Sequence, residues 1–215
     1  YALLEKWWFT MCGIVGYIGD DKATPILLNG LEKLEYRGYD SAGVAVYQNH
    51  SVEVVKSKGR LKNLCDILTS DNHMTGTLGI GHTRWATHGE PSDINSHPHC
   101  SENGSFAVVH NGIIENYLYL RDYLMNKGKR FASETDTEVV AQLLEYYYNG
   151  NILDTIIKVL SKIEGAYALG IICKDDPDTL YAVRKDSPLI IGLGKGENFI
   201  ASDIPAIIDK TRDIY

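Results

Sequence analysis

Cys12 directly follows Met11, and that placement is the first feature in the chain that suggests chemistry. Removal of a methionine before a small residue would leave Cys12 carrying both a thiol and a free α-amine. A thiol of pKa about 8.5 is only a few per cent thiolate near neutrality and needs a base. An α-amine of pKa about 7.7–8.0 suits that task. One residue could then supply nucleophile and base together. The other three cysteines read differently. Cys65 and Cys173 fall on apolar faces of a helix and a strand, where a buried inert thiol is expected. Cys100 stands beside His97 and His99, but no second ligand pair follows at zinc-like spacing, so a polar loop is the reading and no metal is expected.

Other groups read blandly when taken alone. Asn111-Gly112 is a hairpin-turn pair. Arg84 would be a surface charge, and Asp136 an acid at a helix start. The seven histidines would permit a thiol protease, yet no local signature supports one.

The elements around these residues follow from hydrophobic period. Gly13–Ile18 is a short apolar strand, and residues 25–36 have helical spacing through Leu27, Leu31 and Leu34. Residues 42–47 and 52–58 are strands around a polar turn at 48–51. Leu61, Leu64, Cys65 and Leu68 mark a second helix. Residues 77–83 and 105–110 are strands separated by a long stretch rich in Gly, Pro, His and Ser, and a loop of that length is usually functional. Leu120 and Leu124 lie on a third helix. Thr135 to Glu138 form a capping box for a fourth, with Val140, Leu143, Leu144 and Tyr147 on its face. Leu153, Ile156, Ile157 and Leu160 mark a fifth. From Ala166 the strands AYALGIIC, TLYAVR, PLIIGLG and NFIAS follow one another through short turns, which predicts antiparallel pairing. Together these patterns specify an α+β layered domain.

Composition limits the partners. A net charge of −7, with Lys and Arg scattered, argues against a nucleic-acid surface. No apolar stretch approaches the roughly 18 residues of a membrane span. Few, widely spaced cysteines point to a reducing compartment, and the cytoplasm is expected. Residues 1–11 lack the apolar core and cleavage site of a signal peptide, and are read as a leader or remnant plus an initiator Met outside the fold. Residues 12–215 are read as one domain.

Five motifs then occur in order: CGIVGYIG from Cys12, LEYRGYDSAG from Leu34, HTRWATHGEP from His82, HNGIIEN from His110 and SETDTEV from Ser133. Together they resemble the glutaminase domain of the glutamine–fructose-6-phosphate aminotransferases, within the class II, N-terminal-nucleophile amidotransferases. The resemblance runs from Cys12 to the end of the chain. It implies a four-layer αββα sandwich of the N-terminal-nucleophile hydrolase type and no cofactor or metal. It also implies that Cys12 attacks the side-chain amide of L-glutamine, with an oxyanion hole from the Asn111 side chain and the Gly112 N–H. Arg84 would bind the α-carboxylate and Asp136 the α-ammonium. Trp85, Thr87 and His88 would belong to a loop that closes over the substrate, and Arg37 would help orient the site.

The family's sugar-phosphate isomerase part is expected to follow near Tyr215, so this chain alone would release ammonia and glutamate without making an amino sugar. The full-length enzyme is expected to be a homo-oligomer. Tyr36, Trp85 and His88 favour this family over amidophosphoribosyltransferase, the nearest rival. A catalytically silent regulatory module is a further alternative, against which intact Cys12, Arg84, Asn111 and Asp136 argue.

Overall fold

The computed structural model describes residues 12–71, 74–85 and 89–215. The leader, together with Thr87 and His88, lies outside the described residues. In chain order the strands are β1 (Gly13–Ile18), β2 (Ser41–Gln48), β3 (Ser51–Lys58), β4 (Leu78–Arg84), β5 (His99–Cys100), β6 (Phe106–Ile114), β7 (Gly165–Cys173), β8 (Asp176–Lys185), β9 (Ile190–Leu193), β10 (Asn198–Ala201) and β11 (Asp213–Ile214). The helices are α1 (Ala23–Glu32), α2 (Leu61–Asp71), α3 (Tyr117–Asn126), α4 (Thr137–Tyr147) and α5 (Ile152–Leu160).

The strands form a seven-stranded sheet, ordered β11-β9-β10-β1-β4-β2-β3, and a four-stranded sheet, ordered β5-β6-β7-β8. Three apolar clusters define the layers. Ile14, Ala45, Leu78 and Ile80 meet Ala107, Val109, Ala168 and Ile172 between the two sheets. On the far side of the larger sheet, Leu27 and Leu31 of α1 and Leu64 of α2 cover Val15, Val44 and Val46. On the far side of the smaller sheet, Leu124, Val140, Leu144 and Ile156 cover Val108, Leu169 and Ile171. Helices, sheet, sheet and helices make the expected αββα sandwich. Strands that lie in the middle of such a stack are covered on both faces, which is why β1 reads as a near-continuous apolar run rather than an alternating one.

Several local expectations hold. The β2–β3 hairpin turns through Asn49 and His50, both at positive φ (50° and 62°), as a two-residue turn matching strand twist requires. Others need correction. The strand run after Ala166 is not one continuous meander. β7 pairs with β8, but the chain then crosses to the other sheet, where β9 pairs with β10. The capping box is displaced as well. Thr135 Oγ1 accepts from Glu138 N at 3.4 Å, but the Glu138 carboxylate reaches past Thr135 to Ala132 N (2.8 Å) and Ser133 N (2.6 Å). In α5 the buried stripe is Ile152, Ile156 and Val159, whereas Leu153 and Ile157 face outward. No helix among the described residues is long and apolar enough to cross a membrane.

Candidate active site

Cys12 stands immediately before β1, the fourth of seven strands in its sheet. Pairing of Gly13 with Thr83 brings the end of β4 alongside it. Trp85 N donates to Cys12 Sγ at 3.1 Å, and the thiol is 3.5 Å from Trp85 O. The residue is half-buried, yet burial pushes the thiol up to about 11, the Trp85 N–H pulling against it, Asp40 raising it and Arg84 lowering it. A thiol so placed stays protonated at neutral pH unless a base takes its proton.

Asn111 reaches Cys12 from the other sheet. Its Nδ2 donates to Cys12 O at 2.7 Å. Because an amide nitrogen carries two hydrogens, one remains for a second acceptor. The hairpin reading of Asn111-Gly112 is overturned: both residues lie within β6, opposite Ala168 and Tyr167 of β7. Asn-Gly is a turn signal only where the chain reverses, and here β-pairing runs through it. Gly112 has φ +123°, and a Cβ there would lie 2.0 Å from Ala166 O. Gly112→Ala is therefore expected to cost about 1–3 kcal/mol of stability, read as a lowered denaturation midpoint at unchanged m-value.

Arg84 and Asp136 are not surface charges. Arg84 is 3% exposed, with Nη2 donating to Gly89 O at 3.0 Å. Asp136 is 4% exposed, and its Oδ2 accepts from Ile114 N at 2.8 Å, two residues beyond Gly112. That bond uses Asp136 to tie the start of α4 to the end of β6 rather than to cap the helix. The Trp85 indole packs edge-on against Tyr39 at 5.3 Å.

Direct hydrogen bonds thus join Cys12, Trp85 and Asn111. Arg84 immediately precedes Trp85 in the chain, and Asp136 accepts from Ile114, three residues beyond Asn111. Arg37 makes a different connection. Its Nη1 bonds Asp203 Oδ2 at 2.7 Å, an oxygen shared with the Tyr36 hydroxyl, also at 2.7 Å. Burial pushes the Asp203 carboxyl up, but Tyr36, the Ile204 N–H and Arg37 outweigh it and hold it low. The neighbouring Ser202 exchanges hydrogen bonds with Ile14. Arg37 therefore braces the segment beside β1.

A glutamine amidotransferase domain model matches residues 82–209. The chain belongs to that family. Curated relatives of this amidotransferase domain include the glutamine–fructose-6-phosphate aminotransferase (isomerizing) of Caldanaerobacter subterraneus subsp. tengcongensis. It is 65% identical over 205 residues, covering 95% of this chain and 34% of the relative. The enzyme of the same name from Clostridium tetani is 60% identical, again over 95% of this chain and 34% of its own length. The amidotransferase domain thus spans about a third of the length of these relatives. Among solved structures, glutamine phosphoribosylpyrophosphate amidotransferase from B. subtilis superposes with a TM-score of 0.79 at 29% identity, covering 93% of this chain and 44% of that one. The α+β sandwich expected from the sequence is the fold of these amidotransferases. Sequence reasoning did not single out His82 or Tyr39. A histidine within the fully buried strand LGIGHTR was the available signal for the first.

Proposed function

We propose that this chain is the glutaminase part of a glutamine–fructose-6-phosphate aminotransferase, splitting L-glutamine into glutamate and ammonia at Cys12. The observation that carries the reading is the hydrogen-bonded cluster of Cys12 Sγ, the Trp85 backbone and the Asn111 amide. In this reading the freed α-amine of Cys12 takes the thiol proton as sulfur attacks the side-chain carbonyl carbon. The second Nδ2 hydrogen of Asn111 and the Gly112 N–H receive the oxyanion, each such donor being worth about 10²–10³ in rate. The amine returns the proton to the leaving nitrogen, ammonia departs and a thioester remains, which water hydrolyses to glutamate. Arg84 and Asp136 hold the two charges of the substrate zwitterion, while Trp85, Thr87 and His88 close over it. In the whole enzyme a further isomerase domain receives the ammonia for fructose 6-phosphate, giving glucosamine 6-phosphate, in a cytoplasmic homo-oligomer.

Incubation with glutamine and with peptides tests the class: glutamate and ammonia from the first and no cleavage of the second is expected. Peptide cleavage without glutaminase activity would overturn the assignment in favour of a thiol protease, and inactivity of the processed chain in favour of a silent module. Arg84→Lys tests the carboxylate clamp. A point ammonium cannot reproduce a planar fork, so KM for glutamine should rise about 10–150-fold, the ratio implied by losing one charge-assisted hydrogen bond of ~1.5–3 kcal/mol. An unchanged KM in steady-state assays would remove Arg84 from that role.

A further inference from the structure

The amide of Asn111 could point either way, and its orientation decides whether it offers hydrogens or lone pairs toward Cys12. The answer is built into β4. His82 Nε2 lies 3.0 Å from Asn111 Oδ1 and 3.0 Å from His110 O. Both neighbours are oxygens that only accept, so Nε2 must carry the ring proton and donate to both. Asn111 Oδ1 is thereby held on the His82 side, and Nδ2 is left facing Cys12 O. We infer that His82 is a positioning residue for the glutaminase reaction, a neutral Nε2–H donor that keeps the Asn111 amide turned to present its hydrogens to the oxyanion. The inference rests on the proposed glutaminase reading.

Three further features hold the donor in place. The His82 ring stacks on His97 at 4.2 Å and 20°, which fixes its plane. His97 is itself fixed, because its Nδ1 accepts from His110 N at 3.3 Å. Gly43, paired with His82 across the sheet, has no side chain, and a Cβ there would lie 2.2 Å from His97 O. The groups facing His82 are thus His97, His110, Asn111 and the nearby Arg84, a set that disfavours a second positive charge. Burial, first of all, pushes His82 down to about 3, with His110 and Arg84 acting in the same direction and its bonds to Asn111 and His110 opposing. The ring therefore remains neutral across any ordinary assay pH. Its Nδ1 has no hydrogen-bond partner among the described residues, as suits a nitrogen without a proton.

Removing the donor loosens the amide. With leucine at position 82, Asn111 Oδ1 loses the Nε2–H that holds it, and the amide is left to its Nδ2–Cys12 O bond, free to rotate away from the orientation that presents its second hydrogen to the oxyanion. His82→Leu should lower kcat by a factor approaching the roughly 10²–10³ of a missing oxyanion donor, with little change in KM. His82→Gln, whose Nε2 can stand near the imidazole nitrogen and donate, should recover most of the loss.

The decisive comparison is a double-mutant cycle with Asn111→Ala in chains whose processing to Cys12 is confirmed by mass. If His82 acts through Asn111, His82→Leu has almost no further effect in the Asn111→Ala background; additive losses would overturn the inference. Should the leucine variant fail to fold, nitrogen-15 spectra of the unaltered protein decide. A neutral Nε2–H tautomer is expected from about pH 5 to 9, and an Nδ1–H tautomer or a protonated ring would refute the proposal. An inactive parent chain would instead refute the glutaminase reading, leaving the spectral test of His82 still interpretable.

Discussion

Cys12→Ala will reduce glutamine hydrolysis by about 10⁴-fold or more, since removing a covalent nucleophile takes away the step on which every other catalytic group acts. The same variant will unfold within a few degrees of the parent. Cys12 belongs to none of the three apolar clusters, and among the described residues its Sγ hydrogen-bonds the backbone of Trp85. Losing that contact costs on the order of 1 kcal/mol. Glutamate release and thermal unfolding, measured on one preparation, check both halves of the expectation. Substantial remaining turnover would mean that the sulfur is not the nucleophile.

The second large effect concerns the eleven residues before Cys12. While they remain attached, the nitrogen of Cys12 is a peptide amide, delocalised and without useful basicity. The thiol, pushed up to about 11 by burial, then ionises alone. Near neutral pH very little of it would be thiolate. A chain beginning at Cys12 gains a general base typically worth 10²–10⁴-fold, and the intact chain should be slower by about that factor. The pH profiles should differ in shape too. Without the amine, the rate should climb about tenfold per pH unit through the neutral and mildly alkaline range, because only thiolate reacts. With it, the climb should level off as the amine loses its proton near pH 7.7–8.0. Rates from pH 6.5 to 9.5 for both chains, each of verified mass, test this. Equal rates with the leader intact would refute the free-amine mechanism.

What could be read from the sequence divides by the range of the interaction. Period and turn chemistry located the elements, since they depend on neighbours a few residues away. The helix of Leu27 and Leu31 and the hairpin at Asn49-His50 are examples. Which sheet a strand joins depends on distant partners, and so β8 and β9, adjacent in sequence, could not be seen to separate. The site followed the same division. Cys12 stood out by its place after Met11, and the motif that follows it carried the expectation of a nucleophile. Asn111-Gly112 reads as a turn until β7 is known to pair through it, and Arg84 reads as a surface charge until β4 is seen buried between β1 and β2. The roles proposed for them come from the family motifs. The support beneath them, His82 under Asn111 and Asp203 under Arg37, consists of pairs that no local pattern connects.

The central position of β1 also sets a timetable. Ile14 bonds to Ser202, 188 residues further along, and β10 closes the flank of β1 that β4 leaves open. At a synthesis rate of about 5–20 residues per second, the strand bearing the nucleophile waits roughly 10–40 s for that partner to be made. The earliest part of the domain to leave the ribosome is thus among the last to be locked. Any trimming that frees the Cys12 amine has that interval in which to act on open chain, before the sheet shuts around its product.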